Sequence, residues 1–553
     1  MSSRRGPSSV PGRAALAALV AAAIATAGCT VGSHGAGVAP SGGSAATSVA
    51  ASPSALTSTP SSPDDGTVSA SGQIDVPTPE QLKAIDPARL TRFYSQKIKW
   101  TACSGTLQCG SLIVPIDYGN PTGATISLAL IRHRSTDRNR VGSVVLNPGG
   151  PGGSGVNFAK QAWSKYSSLF DDRFDVVSFD PRGVGESDPV RCASAALEDS
   201  FVSIDTNPES ESDVEKLARL NAQFANGCKQ KSGALLPHVG TVDTARDLDV
   251  LRAALGDAKL TYVGESYGTF LGQLYAQLFP HKVRALVLDG VVDPAATDVT
   301  EGIGQAAGFE TALRAFVGYC VRQNPCAAGT SSSDAEGKLD NWLDGLATKP
   351  LTGSGGRRLT RALALDGVAA GLYSPQSWPY LNAALRAAMH DSPSMLLSLA
   401  DLLIGRDADG SYSNELEANV AINCADRGSV STSIRDAAQA AIKGESAGPT
   451  FGQFLGWGNS VCIDWPVPVE LAPGPIRAPG APPILLVATT RDPATPMAWA
   501  KAVAANLESG VLVTWDGDGH TAVLRSPCVD HIVSAYVVSL TVPASGTACA
   551  ASS

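Results

Sequence analysis

A serine, an aspartate and a histidine, widely spaced along this 553-residue chain, are the residue types that hydrolysis of an acyl group requires. Ser266 is the centre of the sequence GESYG at residues 264–268, which follows a short apolar run and precedes a stretch with helical spacing. A G-x-S-x-G sequence between a strand and a helix predicts a nucleophile elbow, a sharp turn that exposes the serine hydroxyl. Ser266 is therefore our candidate nucleophile.

His520 is our candidate for the base that takes the serine proton. It ends the glycine-rich sequence DGDGH at residues 516–520, directly after a predicted strand, and such a loop can present an imidazole at a sheet edge. The other histidines lie in the N-terminal segment, before or close to the elbow, or in predicted helices: His34, His133, His238, His281, His390 and His531.

The third group must orient the imidazole and stabilise its positive charge. Asp492 follows the predicted strand 484–488 and lies in the sequence TTRDPATP at residues 489–496, where it could also cap the helix that begins near Pro496. Asp289, at the end of the preceding strand, is an alternative, and Asp293 is a weaker one. We predict Asp492 as the catalytic acid.

Two backbone N–H groups must stabilise the oxyanion that forms on the substrate. The N–H of Tyr267, which starts the helix after the elbow, is one; Gly149 or Gly150, in the loop NPGGPGGSG at residues 147–155, offers the other, and we select Gly150. The same loop contains G-x-G-x-x-G, and the next strand ends in Asp180, as a dinucleotide fold would require. That alternative leaves the elbow unexplained, so we predict no cofactor.

The order of elements indicates an α/β fold with a mainly parallel sheet, because short β-rich runs alternate with helical stretches. The predicted strands are 126–131, 141–146, 174–179, 260–263, 283–288, 484–488 and 510–514. Between Asp293 and about Pro475 the spacing of Ala and Leu becomes helical, which predicts an inserted helical cap. We therefore divide the folded part into core residues 78–294, cap residues 295–475 and core residues 476–553.

The N-terminus has the pattern of an export signal. Arg4, Arg5 and Arg13 precede an apolar stretch at 14–25, and the sequence ATAGC at residues 25–29 resembles a bacterial lipobox. Residues 1–28 are therefore predicted as a signal peptide, with Cys29 lipidated, and residues 29–77 as a disordered tether rich in Ser, Ala, Gly, Thr and Pro. The alternative is cleavage after Ala27 and free secretion.

Cysteine and charge patterns limit the compartment and the partners. Of the 11 cysteines, removal of Cys29 leaves ten, which can all form disulfides in an oxidising compartment. Neighbours along the chain suggest one hypothetical pairing: Cys103–Cys109, Cys192–Cys228, Cys320–Cys326, Cys424–Cys462 and Cys528–Cys549. The formal charge of −9 without a basic patch argues against nucleic acid, and no metal-ligand spacing is present.

Several short motifs together resemble a known family. The sequence DPRGVGES at residues 180–187 looks like the D-x-R-G-x-G-x-S turn of α/β-hydrolases, and PGGPG at 148–152 is similar to the H-G-G-P-G loop of proline iminopeptidases, with Pro148 in place of histidine. With the elbow, residues 491–496, 517–520 and AINCAD at 421–426, the chain from about Lys99 to Ala548 resembles secreted tripeptidyl aminopeptidases of actinobacteria. Mycobacterial lipoprotein relatives with carboxylesterase or protease activity are similar too.

The resemblance implies an α/β-hydrolase fold with a cap over the site, and exopeptidase-type serine hydrolysis. We therefore predict an exported, lipid-anchored aminopeptidase that releases short N-terminal peptides. Such an enzyme must bind a free α-ammonium, for which Asp426 and Asp464 are candidate ligands, each close to a cysteine. Two alternatives remain open: a carboxylesterase acting on lipid or short-chain esters, and a surface lipoprotein that binds but is catalytically weak.

Overall fold

The computed structural model describes residues 77–551, except for residues 84, 207, 209, 324, 458, 459 and 545. The predicted signal peptide, Cys29 and the tether up to residue 76 lie outside the described residues. None of the helices in the described part of the chain is long and apolar enough to cross a membrane.

A ten-stranded sheet is the centre of the fold, with the strand order β1-β2-β3-β5-β4-β6-β7-β10-β11-β12. Strands β1, β2, β3 and β5 pair antiparallel, and all pairs from β5 to β12 are parallel. A separate two-stranded ribbon is formed by β8 and β9. The strands are β1 (Thr101–Ser104), β2 (Leu107–Pro115), β3 (Thr125–His133), β4 (Gly142–Asn147), β5 (Phe174–Phe179), β6 (Leu260–Glu265), β7 (Val283–Asp289), β8 (Leu351–Thr352), β9 (Arg358–Leu359), β10 (Ile484–Arg491), β11 (Gly510–Asp518) and β12 (Ala548–Cys549).

The central strands are apolar without alternation because both faces of the sheet are covered. All six residues of β4 and all six of β5 are buried, as continuous runs of Val, Leu and Phe predict for parallel strands packed between helices. Each of the seven predicted strands is present: 174–179 has the predicted bounds, 141–146 is shifted by one residue to 142–147, and the other five are extended by one to four residues. The predicted α/β fold with a mainly parallel sheet is thus confirmed.

The helices fall into two groups, those that flank the sheet and those inserted between β7 and β10. The first group is α1 (Thr91–Tyr94), α2 (Gly155–Leu169), α3 (Ala195–Ser203), α4 (Glu211–Ser232), α5 (Thr241–Leu255), α6 (Tyr267–Leu278), α15 (Met497–Asn506) and α16 (Pro527–Ser539). The second is α7 (Asp298–Gln323), α8 (Ser332–Thr348), α9 (Arg361–Leu372), α10 (Trp378–Met389), α11 (Ser394–Ile404), α12 (Glu415–Asp426), α13 (Ile434–Ala447) and α14 (Gly452–Gly456). Short 3₁₀ turns occupy Pro79–Gln81, Pro87–Leu90, Leu236–His238, Pro280–Lys282, Ser354–Gly356, Pro375–Ser377 and Ser460–Cys462.

The inserted helices have a hydrophobic core of their own. Phe309, Phe316, Leu363, Trp378 and Leu396 are among the buried residues of this cluster, which is distinct from the two clusters on the faces of the sheet. Helix α12 is an exception, because its buried side chains belong to the main core under the sheet. The helical insertion is as predicted, while its boundaries at residues 295 and 475 stay a prediction.

Five disulfides join the ten cysteines of the described residues, with the pairing that neighbours along the chain suggested. Cys528–Cys549 ties helix α16 to the edge strand β12, and Cys424–Cys462 ties the end of α12 to a 3₁₀ turn. Both cross-links reduce the entropy of the unfolded chain around elements that lie near the candidate site.

Candidate active site

Ser266 occupies the sharp turn between β6 and α6. Its backbone has φ 56° and ψ −127°, a conformation that residues with a Cβ seldom adopt and that indicates local strain. The backbone N–H of Ser266 donates to the carbonyl oxygen of Asp289 at 2.9 Å, which fixes the turn against the end of β7. The side chain is half-buried, and its hydroxyl makes no hydrogen bond with a described residue.

The glycines on either side of the turn are required by space. A Cβ on Gly264 would lie 2.4 Å from the carbonyl oxygen of Gly268, and a Cβ on Gly268 would lie 2.7 Å from Oδ1 of Asn147. Both distances are far below van der Waals contact. The G-x-S-x-G spacing therefore lets β6 and α6 approach closely enough to form the elbow.

Asp492 and His520 form a hydrogen-bonded pair at the ends of β10 and β11. The Nδ1 atom of His520 lies 2.9 Å and 3.0 Å from the two carboxylate oxygens of Asp492. The same carboxylate accepts the backbone N–H groups of Ala494, Thr495 and Thr521 at 3.0, 2.9 and 3.2 Å. A carboxylate held in this way keeps the Nδ1 proton toward itself and leaves Nε2 of the imidazole free to take a proton.

The electrostatics of the pair favour the imidazolium. Burial of His520 lowers its pKa, but the charge of Asp492 and the hydrogen bond to it outweigh burial, so the pKa is raised above its usual value. Asp492 is 2% exposed, which keeps water from weakening this interaction.

Asp289, the alternative acid, holds a loop and makes no hydrogen bond to the imidazole. Its carboxylate accepts the backbone N–H groups of Ala522 and Val523, two and three residues after His520, at 2.9 and 2.7 Å. Burial raises the pKa of Asp289 to about 7. Because the Asp289 carbonyl also binds the N–H of Ser266, this one residue brings the elbow and the histidine loop to the same sheet edge.

The weaker alternative, Asp293, is engaged in a local turn. It is half-buried and accepts the backbone N–H of Ala295 at 2.9 Å.

The glycine loop after β4 closes onto the elbow. At φ +89°, Gly149 comes so near that an added Cβ would lie 2.8 Å from the backbone nitrogen of Tyr267. The N–H of Gly149 already donates to Oδ1 of Asn147 at 3.0 Å. Within the described residues, neither the N–H of Gly150 nor that of Tyr267 has an acceptor. The geometry thus favours Gly150 over Gly149 as the partner of Tyr267 in an oxyanion hole.

Asp180, the acidic residue of the dinucleotide alternative, has a structural partner for each carboxylate oxygen. It accepts hydrogen bonds from Ser154 Oγ at 2.6 Å, from the N–H of Val156 at 3.0 Å and from the N–H of Glu186 at 2.9 Å. These bonds connect the D-x-R-G turn to the start of α2. The carboxylate is therefore occupied and is not open to a ribose hydroxyl.

Of the two predicted ammonium ligands, Asp426 is buried and hydrogen-bonded beside the elbow. It is 2% exposed and accepts the N–H and the hydroxyl of Thr241, at 2.6 and 2.5 Å, and the hydroxyl of Tyr267 at 3.3 Å. Burial raises its pKa to about 6. Asp464 is exposed and makes no hydrogen bond or ion pair with the residues that the structure describes.

Glu415, which the sequence did not single out, lies beside the glycine loop. A Cβ on Gly152 would lie 2.6 Å from the carbonyl oxygen of Glu415, and Asn419, one turn later, donates to the carbonyl of Pro151 at 3.0 Å. The Glu415 side chain is exposed and has no partner within the described part of the chain, yet the surrounding protein raises its pKa through burial.

The negative charge of Glu415 also affects the pKa of Tyr373. Burial, Asp492 and Glu415 together raise the pKa of Tyr373, whose ring packs edge-on against His520 with 5.3 Å between ring centroids. Glu415 is therefore close enough to this tyrosine to act on it electrostatically. No local motif indicates this, because it depends on where α12 packs.

The described residues contain no cluster of three or more His, Cys, Asp or Glu side chains that could hold a metal ion. The arrangement consists of a serine at an elbow after a parallel strand, an acid and a histidine from the next two parallel strands, and a glycine loop. This arrangement is typical of serine hydrolases with the α/β-hydrolase fold.

Comparison with known proteins gives the family. Residues 448–549 match the family described as TAP-like protein. The chain is 38% identical to the serine protease Hip1 of Mycobacterium tuberculosis over 476 residues, which covers 82% of this chain and 91% of that one. It is 39% identical to carboxylesterase B of the same species over 455 residues (80% and 86%), and 32% identical to a tripeptidyl aminopeptidase of Streptomyces coelicolor over 486 residues (84% and 88%).

The chain therefore belongs to the family of Hip1 and tripeptidyl aminopeptidase, within the α/β-hydrolases, and it is a serine hydrolase. This agrees with the resemblance seen in the sequence motifs.

Proposed function

We propose that Ser266 is the nucleophile, that His520 is its general base and acid, and that Asp492 orients the imidazole. Tyr267 and Gly150 supply the oxyanion N–H groups. The observation that carries the proposal is the Asp492–His520 pair, with Nδ1 2.9 Å from the carboxylate and its loop tied to the same Asp289 as the elbow. Nothing else in the described site offers a base to the serine.

The proposed reaction is acyl transfer in two steps. His520 Nε2 takes the hydroxyl proton of Ser266 while the serine oxygen bonds to the substrate carbonyl carbon, and the two N–H groups stabilise the oxyanion. The C–N bond of an amide, or the C–O bond of an ester, then breaks, and the leaving group takes the proton from His520. A water molecule gives a proton to His520 and attacks the acyl-enzyme, which releases the acid and restores Ser266.

We propose an aminopeptidase that releases short N-terminal peptides, in the manner that the name of the tripeptidyl aminopeptidase relative implies. An enzyme of this kind must bind the α-ammonium of its substrate, and a carboxylate near the site is the simplest ligand. Asp426 and Asp464 remain our sequence-based predictions for this role. The burial of Asp426 and the saturation of its oxygens argue for a structural task instead.

Glu415 is the better candidate for the ammonium ligand, because its carboxylate is exposed and has no described partner, and because its backbone carbonyl adjoins the glycine loop. Gly150 and Gly152 are two Cα steps apart, which spans at most about 7 Å. An extended peptide covers about 3.5 Å per residue. A substrate whose carbonyl lies at Gly150 would thus place its amino terminus near Glu415 after a few residues, which fits an exopeptidase that removes short peptides.

The second candidate function is a carboxylesterase acting on lipid or short-chain esters. It is favoured by the 39% identity to carboxylesterase B, and the same serine, acid and histidine would carry it. A third possibility from the sequence, a surface protein that binds but hardly turns over, requires the site to be inactive.

For location, we propose export and a lipid anchor at Cys29 that holds the enzyme at the outer face of the cell membrane, with secretion after Ala27 as the alternative. Five disulfides support an oxidising compartment.

The test is labelling with a fluorophosphonate, followed by kinetics on tripeptidyl amides and on short acyl esters. We expect labelling and turnover by the wild type, and loss of both by a factor of about 10⁶ in Ser266→Ala. Ser398→Ala, an exposed helical serine in α11, is the matched control and should behave as wild type. Turnover of esters alone would replace the peptidase by the esterase; a folded protein that is not labelled would support the binding protein.

A further inference from the structure

Arg525 places a guanidinium directly beside the catalytic histidine. Its Nη1 donates to the carbonyl oxygen of Tyr373 at 3.1 Å, and the backbone N–H of His520 donates to that same oxygen at 2.9 Å. A Cβ on Gly519 would lie 3.1 Å from Nη1, so only a glycine before His520 leaves this space. The cation is thus an immediate neighbour of the histidine loop.

Most of the hydrogen-bonding capacity of Arg525 is unused. A guanidinium has five N–H donors, and within the described residues only the bond to Tyr373 is present. The side chain is half-buried, and no described carboxylate lies within ion-pair distance. A partly buried cation in this state usually has a counter-ion, and since no described carboxylate contacts Arg525, an anionic ligand could take that place.

The nearest carboxylates are engaged elsewhere. Glu265 accepts the hydroxyl of Tyr166, Asp289 accepts two N–H groups of the histidine loop, and Asp492 binds His520. Their charges favour the protonated guanidinium from a distance, while its burial lowers the pKa. They do not neutralise Arg525 by contact.

A second cation, Lys165 on α2, interacts electrostatically with Arg525. Burial and the charge of Arg525 lower the pKa of Lys165, so the two cations are near enough to repel each other. Lys165 is half-buried and has no hydrogen bond or ion pair to a residue in the described ranges. Two neighbouring cations without a contacting anion form a place that is electrostatically favourable for a carboxylate.

The position of this pair relates it to the leaving group, because the leaving amine takes its proton from His520 and therefore departs on the histidine side. We infer that Arg525, assisted by Lys165, binds the C-terminal carboxylate of the leaving amino acid or peptide. This inference rests on the proposed peptidase function and specifies its substrates. They are short peptides with a free C-terminus, cut close to that end, rather than internal segments of long chains.

The test compares a tetrapeptide with a free C-terminal carboxylate and the same tetrapeptide as its C-terminal amide. For the wild type we expect kcat/KM about 10- to 100-fold higher for the acid, as one or two charge-assisted hydrogen bonds would give. Arg525→Gln should abolish this preference, so that kcat/KM becomes similar for the acid and the amide. Lys165→Gln should reduce the preference by a smaller factor, and Arg358→Gln, an exposed arginine of β9, is the matched control.

Inhibition of ester hydrolysis by the same two peptides gives a second readout that does not need peptide cleavage. A wild type that does not distinguish the acid from the amide in either assay would overturn the inference. So would an Arg525→Gln variant that loses the same factor on both peptides, because that pattern means a structural role. If the wild type is not labelled by a fluorophosphonate, the proposed function fails separately, and calorimetric binding of the two peptides still decides for or against Arg525.

Discussion

Two carboxylates at the sheet edge and two in the inserted helices differ in how their oxygens are bound. At the sheet edge, Asp492 and Asp289 are fully buried, and each accepts two or more hydrogen bonds from the loops that they position. In the insertion, Glu415 and Asp366 have no bond to any described residue, and burial alone raises the pKa of both, that of Asp366 to about 7. Carboxylates with saturated oxygens maintain a structure, whereas carboxylates without a partner are available for a ligand.

The largest effect on kcat is expected when the hydrogen-bonded carboxylates at the sheet edge are replaced by amides. Asp492→Asn should lower kcat by about 10⁴, because an amide cannot hold the Nδ1–H tautomer of His520. Asp289→Asn keeps an acceptor for the histidine loop and should cost far less. Steady-state kinetics on the best ester substrate, with circular dichroism to check the fold, separate the two. Equal losses would mean that Asp289 shares the catalytic task.

A smaller effect on kinetics is expected for Glu415 and Asp366, the carboxylates without a described partner. Glu415→Gln should raise KM about 10- to 100-fold for peptides with a free amino terminus and leave N-acetylated peptides and esters unchanged, because one charged contact is lost. Asp366→Asn tests the rival acid of the insertion. Asp391→Asn, an exposed position at φ 60° where asparagine fits well, is the control. If Asp366→Asn reproduces this pattern and Glu415→Gln does not, the ammonium site lies along α9 instead.

The smallest effect is on the pH profile. His520 must be neutral to act as base, and Asp492 raises its pKa, so the acid limb of kcat/KM should lie above pH 6.5, the usual value for histidine. Activity is lost as the pH falls through this raised pKa. In Asp492→Asn the limb should move to lower pH, since burial then acts without the compensating charge. A limb that does not move on this substitution would contradict the assignment of the pair.

Much of this site could be predicted because its residues follow strands. An elbow, an acid and a histidine that each come directly after a parallel strand must meet at the same edge of the sheet, so Ser266, Asp492 and His520 could be selected from local patterns. Strands β1, β2, β8, β9 and β12 were not predicted, because β1 is exposed throughout, β2 is partly exposed, and the other three are only two residues long.

The proposed ammonium ligand, Glu415, could not be predicted in the same way. Asp426 and Glu415 are the last and first residues of α12, about 16 Å apart along the helix axis. The motif AINCAD lies at the C-terminal end of α12 and therefore suggested Asp426. The N-terminal end, with Glu415, adjoins the glycine loop, and that contact is set by long-range packing. Sequence patterns identify the helix and do not identify which of its ends faces a substrate.

Helix α12 has a consequence for how this protein could be altered. Its first turn packs on Gly152 and its Asn419 binds Pro151, while its last residue, Asp426, hydrogen-bonds the side chain of Tyr267. One helix of the insertion thus braces the two backbone segments that would form the oxyanion hole. A chimera that exchanges the insertion for that of another hydrolase would lose this brace along with its specificity, so the graft points must leave residues 415–426 with the core.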